Sequence, residues 1–295
     1  PRGIEVRNAN DTIDSTATNL LGACTGSVSQ IGNYAVNSIT NYANAFYNNR
    51  EDKYIKMLEV DMRSLLDCLH NSNWLTQGKA LNDDTEGGIV FFFTVKGPDA
   101  SNTANKYGVR IWNAQNLQAT VGGAPLVKGM SIVSDQAVYL RGHYNSTNKI
   151  PAAVMADSIN ILSGNLNDDA TDESNLTNRT ATDTTVNAAF LSGTDSTGNT
   201  EGTGGWNGAY NGGVENFPRF HENWSNRTFT YKGSIVSLNK ARHVNGAWQI
   251  NGRFYNAPTR VWSFDTDFND AAKLPPLSPR FVYLKQELFV RDFEQ

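Results

Sequence analysis

Cysteine is scarce: Cys24 and Cys68 are the only two in 295 residues. Their separation fits no zinc or dithiol redox spacing, so neither chemistry is read from it. They either remain thiols or pair in an oxidising compartment, where closing the loop between them would be worth up to ~4 kcal/mol. Charge is scarce as well, with 18% charged residues and 25 Lys and Arg against 29 Asp and Glu. No basic field exists to draw in nucleic acid or anionic lipid, so nucleic acid is not an expected partner. No apolar run approaches the ~18 residues of a membrane span; "GGIVFFFTV" and "RFVYL" are strand-sized, and no span is expected in this chain. Numbering starts at Pro1 rather than Met, which raises the expectation that a signal peptide or anchor once stood upstream.

Catalytic signatures are missing too. There is no G-x-S-x-G elbow, no Walker loop and no ordered G-x-G-x-x-G. The histidines, His70, His143, His221 and His243, form no H-x-x-x-H pair, so no zinc site is expected. The chain reads as a non-enzyme, and a β-helical polysaccharide-active enzyme is the alternative.

What the chain does hold is Asn, Ser, Thr and Gly between short apolar segments, a composition suited to exposed turns in β-proteins. From Asp52 to Trp74, apolar residues Tyr54, Ile55, Leu58, Met62, Leu65, Leu66 and Leu69 recur at three and four places, which predicts one amphipathic helix with Glu51 and Asp52 in its first turn. "IVFFFTV" then reads as a buried strand and "YGVRIWN" as another. "SDQAVYLRG" and "ADSINILSG" repeat one figure, with Asp135 to Gly142 and Asp157 to Gly164 spaced alike. Each copy splits into two strands around a bend: "SIV" then "AVYLRG", and "AAVMA" then "SINILSG". A period near twenty-two residues is what one coil of a parallel β-solenoid uses. "TTVNAAFLSG" and "RTFTYKGSIVSL" show the same texture less clearly.

The expected fold is therefore mainly β: a parallel β-solenoid over 85–265, an irregular and helical capping region over 1–84, and a proline-containing tail over 266–295 that docks back. An antiparallel β-sandwich is the alternative. Inward positions are assigned to Ile132, Val138, Leu140, Val154, Ile159 and Ile161. The helix at 52–74 and "VENFPRFHENW" are expected to cap the solenoid, the latter as a helix showing Phe217, Phe220 and Trp224 on one face.

Three groups of residues are candidates for chemistry. Asp265, Asp267 and Asp270 in "FDTDFND" could turn several oxygens toward one calcium ion, and Asp168, Asp169, Asp172 and Glu173 form a second acidic run; solvated turns are the simpler reading of both. No other cofactor is expected. Asp135 and Asp157 would lie one coil apart, as stacked carboxylates or as turn caps. Trp206, Tyr210, Trp248 and Trp262, with Tyr255, are aromatics in polar settings that suit a sugar or a subunit interface.

The strings "FYNNREDKYIKMLEVDMRSLLD", "GVRIWNAQNL", "SDQAVYLRGHYNSTNKIPAAVMADSINILSGN", "TVNAAFLSG", "GGVENFPRFHENW", "FTYKGSIVSL" and "YNAPTRVWSFDTDFND", in this order from about Asn49 to Pro279, resemble one family. It comprises bacterial type IV pilin-like and minor-pilin-like surface proteins and includes hormogonium polysaccharide biosynthesis proteins. The resemblance implies an extracellular or cell-surface role in adhesion, motility or polysaccharide export, as a non-catalytic subunit of a filament. It implies other pilin or filament subunits as partners, among them a separate chain that supplies a hydrophobic helix, and polysaccharide as a contact. Family members carry a hydrophobic N-terminal segment that this sequence does not show, and His221 stands where the motif would have an aliphatic residue.

Overall fold

The computed structural model describes residues 4–24, 26–31, 46–51, 53–73, 75, 79–95, 107–168, 171, 175–193, 217–237 and 254–278. Helix α1 (Ser15–Ala23) opens it, with Asp14 as its N-cap accepting from the Ala17 amide at 2.9 Å. Strands β1 (Val28–Ile31), β2 (Phe46–Asn48) and β3 (Lys53–Asp61) follow, then helix α2 (Met62–Asn71). The single helix expected over 52–74 is thus half strand. Ile55 and Met57 are buried at alternate positions, a period of two that suits a strand flanked by neighbours on both edges. Asp61 ends it and caps α2 by accepting from the Ser64 amide at 3.0 Å. Met62, Leu65, Leu66 and Leu69 then bury one helical face. The disulfide Cys24–Cys68 ties the end of α1 to α2, with a Cα separation of 5.7 Å.

Strands β4 (Ile89–Phe92), β5 (Tyr107–Trp112), β6 (Met130–Val133), β7 (Ala137–Arg141), β8 (Ala152–Ala156), β9 (Ser158–Leu162), β10 (Thr184–Ser192), β11 (Arg219–Phe220), β12 (Thr228–Ser237) and β13 (Thr259–Phe264) complete the described elements. They form two sheets, ordered β1-β3-β5-β7-β9-β11, with β2 beside β3, and β13-β12-β10-β8-β6-β4. Pairing is antiparallel where β1 and β2 meet β3 and parallel in every other strand pair. The protein is mainly β with parallel sheets, and the antiparallel sandwich does not describe it. The first sheet already includes β3, inside 1–84.

From β5 to β12 successive strands alternate between the sheets. Like residues therefore stack across neighbouring strands: Val109, Val138 and Ile159 share one row, and Ile132, Val154 and Phe190 another. All six are 0% exposed, and each such side chain is worth roughly 1.5–3 kcal/mol of burial. The residues assigned inward from sequence, Ile132, Val138, Leu140, Val154, Ile159 and Ile161, are all buried.

The repeated figure is two pairs of strands, as its bends implied, but its register is not uniform. Met130 faces Ala152, twenty-two residues on, whereas Ala137 faces Ser158, twenty-one on. The second copy spends one residue fewer at its bend. Asp157 consequently lies opposite Gln136, whose carbonyl accepts its amide at 3.2 Å, and not opposite Asp135. The stacked-carboxylate arrangement expected of that pair is not formed. The glycines do stack: Gly142 has φ +76°, and a Cβ there would meet the Gly164 Cα at 3.5 Å.

Three further expectations change. "TTVNAAFLS" and "TFTYKGSIVS" are each one unbent strand, β10 and β12, paired over nine residues. Gly233 bends nothing; it leaves room for the Ala188 carbonyl, which a Cβ would approach to 1.9 Å. "IVFFFTV" ends a sheet rather than filling its middle, so Phe92 is 61% exposed. "NFPRF" is no helical cap: Phe217, Phe220 and Trp224 are buried around the short strand β11, which pairs with β9.

Candidate functional site

β13 is the last strand of the second sheet, and each of its residues is exposed. Thr259, Val261, Trp262 and Phe264 favour extended backbone, and among the described residues β12 alone pairs with the strand. Trp262 lies edge-on to Phe229 and Tyr231, at centroid distances of 6.3 and 5.9 Å. Its other neighbour is the Arg260 guanidinium, 5.6 Å from the ring centroid. A tryptophan held in this way is positioned by its inner contacts while it presents apolar area outward.

The chain leaves β13 through two short 3-10 turns, Thr266–Asn269 and Ala271–Lys273. Asp265 caps the first by accepting from the Asp267 amide, and Asp270 caps the second by accepting from the Ala272 amide at 3.0 Å. Lys149 reaches in from the loop before β8, with Nζ 2.5 Å from Asp265 Oδ2 and 2.6 Å from Asp267 Oδ2. Lys232 and Lys273 add longer contacts of 3.5 and 3.3 Å. Partial burial pulls the Lys149 ammonium toward deprotonation, but hydrogen bonds and attraction from the two aspartates outweigh it and hold its pKa above the ordinary value. Hydrogen bonds from Lys149 and Lys273 keep Asp267 below the usual carboxylate range. Ile150, Pro151 and Phe268 close a cavity of about 260 Å³ beside these charges.

Of the three residues expected to share a calcium ion, Asp265 and Asp267 do converge, and Asp270 points its carboxylate at its own turn. The space between the two is taken by Lys149, an internal cation. No group of three metal-ligating side chains occurs among the described residues. Asp168, from the second acidic run, accepts both terminal nitrogens of Arg110, at 2.7 and 2.8 Å; Asp169, Asp172 and Glu173 lie outside the described residues. Trp206, Tyr210 and Trp248 also lie outside them, and so does the tail beyond 278.

A second polar group is buried around β11, where no sequence signal had placed one. Arg219 meets Glu51 at 2.6 Å, both side chains 2% exposed. The Arg179 guanidinium donates to the His221 carbonyl at 2.9 Å, and the Arg50 guanidinium sits 5.1 Å from the Tyr255 ring centroid. Glu222 accepts from the amide and the hydroxyl of Ser163, each at 2.6 Å. Burial pushes its pKa up to about 7, against the pull of the Ser163 bonds and of Arg179 and Arg141. His221, buried among Arg50, Arg219 and Arg179, falls well below its ordinary value, chiefly through burial and then through those charges. The side chains of this group link β2, β3, β9 and β11, so it acts as a buried clamp.

No protein-family model, no curated protein and no solved structure matches this chain.

Proposed function

We propose that this chain is a parallel β-solenoid subunit of an exported, type IV pilin-like surface filament, acting in adhesion, motility or polysaccharide export without catalysing a reaction. The observation that carries the reading is the alternation of successive, parallel-paired strands between two sheets from β5 to β12, which stacks buried apolar residues in inward rows. A body built in this way transmits load along its stacking direction, because each row is packed against the next. The Cys24–Cys68 disulfide suits an oxidising, extracellular setting. The resemblance implies a further chain bearing a hydrophobic helix as a partner; no helix among the described residues is long and apolar enough to cross a membrane.

Electron microscopy of native surface material, labelled with an antibody to this chain, tests the proposal. The expected result is a filament decorated at a regular repeat; label confined to dispersed single molecules would overturn it.

The cavity lined by Lys149, Asp265, Asp267 and Phe268, at the end of the strand that carries exposed Trp262, favours a second reading, a carbohydrate-binding or carbohydrate-cleaving protein. Polysaccharide depolymerisation or polysaccharide binding by the wild type that is lost in Asp267→Asn would support that reading, and neither turnover nor binding across substrates leaves the structural one.

A further inference from the structure

The two 3-10 turns after β13 and the loop before β8 enclose the cavity of about 260 Å³ beside Lys149. Its lining is of two kinds. Ile150, Pro151 and Phe268 supply apolar surface, and Lys149, Asp265, Asp267 and Lys273 supply charge. Both kinds are held in place by the protein itself. Asn145, 0% exposed, accepts from the Ile150 amide at 3.0 Å and donates to the Ile150 carbonyl at 2.7 Å, which fixes the loop. Phe268 lies edge-on to Phe264, with ring centroids 6.3 Å apart. A ligand therefore does not have to assemble these walls, and ordering costs it little.

The charged side retains bonding capacity. An ammonium has three hydrogens to donate, and a carboxylate has about four sites at which to accept. Lys149 gives one hydrogen to Asp265 and one to Asp267, and Lys273 gives one to Asp267 at 3.3 Å. Donors on both lysines and acceptor sites on Asp267 are thus uncommitted among the described residues, and Asp267 is 41% exposed. Spare donor and spare acceptor stand side by side, since Lys149 Nζ and Asp267 Oδ2 are 2.6 Å apart. The lining charges also cancel, two lysines against two aspartates. An anion would be drawn to the lysines and repelled by Asp267, and a cation would meet the reverse. A hydroxyl donates and accepts at once, so neighbouring hydroxyls satisfy both partners without breaking up the ion pairs.

We infer that this cavity binds one uncharged sugar ring, with its hydroxyls on Lys149, Asp267 and Lys273 and its C–H face against Phe268. An aromatic side chain offers such a face a flat apolar surface. The volume lies just below the ~300 Å³ at which pockets for drug-sized ligands begin, which suits a single ring. The inference rests on the carbohydrate reading above and names the unit that is held and the residues that hold it. It involves binding alone, with no bond made or broken.

The test titrates purified full-length chain with the methyl glycosides of glucose, galactose and mannose, and with glucuronate and glucosamine, by ligand-observed NMR and calorimetry. At least one neutral glycoside should bind, and the two charged sugars should bind about fivefold more weakly than it does. Phe268→Ala and Lys273→Ala should each weaken binding by about tenfold. Unchanged circular dichroism and melting would show that each variant is folded; Lys273 is 54% exposed, so its replacement leaves the core intact. No binding of any neutral glycoside, tighter binding of a charged sugar, or folded variants that bind as wild type does would each overturn the inference. A polysaccharide that binds wild type and both variants equally would overturn the inference and leave the carbohydrate reading standing. Glycosides and polysaccharides that all fail to bind would overturn both.

Discussion

Nε2 of His221 lies 2.8 Å from Oδ1 of Asn160, a fully buried contact between the segment after β11 and the middle of β9. The Asn160 amide nitrogen is engaged with the Val138 carbonyl at 3.2 Å, which leaves Oδ1 as an acceptor. The imidazole therefore donates from Nε2, and burial, then the charges of Arg50, Arg219 and Arg179, drive its pKa down and favour its neutral form. Replacing it by the aliphatic residue that the surface-protein motif would carry, His221→Leu, leaves Oδ1 buried and unpaired. The expected loss is about 1–3 kcal/mol, read as a lower urea midpoint. A variant as stable as wild type would mean that the bond contributes nothing.

Glu222 sits one residue on and carries the opposite pH dependence. Its folded-state pKa of about 7 lies above the ordinary 4.5, so folding favours the protonated acid. That contribution is complete below pH 4.5 and disappears as pH rises through 7. His221, with a lowered pKa, contributes above 6.5 and loses its contribution as pH falls. Glu222→Gln removes the first dependence and keeps a group able to bond Ser163. The difference in unfolding free energy between variant and wild type should shift in favour of the variant by about 3 kcal/mol between pH 4.5 and 7, then level off. Urea titrations across that range measure it, and parallel profiles would show that Glu222 does not titrate there.

The disulfide closes a loop with a sequence separation of 44. Chain entropy puts its contribution at about 4 kcal/mol. The double replacement Cys24→Ser, Cys68→Ser should melt well below wild type by calorimetry, and a reducing agent should bring wild type down to the same midpoint while leaving the variant unaffected.

Lys149 stands between Asp265 and Asp267 as a cation would. Lys149→Met leaves two carboxylates facing each other, Asp265 with a side chain only 4% exposed, and should destabilise the fold by about 2 kcal/mol after allowance for partial exposure. Calcium should restore part of that loss in the variant and shift wild type far less. Thermal melts with and without the ion compare the two; equal shifts would show that Lys149 does not occupy the position.

Much of the strand content was legible because stacked parallel strands repeat their demands. Ile132, Val138, Ile159 and Ile161 had to be apolar in any register that buries them, and Gly142, with its positive φ, marks a bend after β7. The stretch from Tyr54 to Leu69 misled because its apolar spacing satisfies a helix and a strand alike up to Asp61. Pairing of β3 with neighbours on both sides then selected the strand. The candidate site was legible in part: Trp262 and the aspartates after it were visible as an aromatic and an acidic turn. Their cation was not, since Lys149 lies 116 residues from Asp265.

By itself the sequence determined which residues are buried rows, where the chain bends and how little net charge it carries, since side-chain polarity and backbone freedom are local properties. Tertiary structure alone decided that Asp157 faces Gln136 rather than Asp135, that Arg219 finds Glu51, and that β4 and β13 stand first and last among the described strands of one sheet. Each of these depends on register summed over many residues: one residue fewer at a single bend moves every later side chain relative to its neighbour, and that sum is set only when the strands pair.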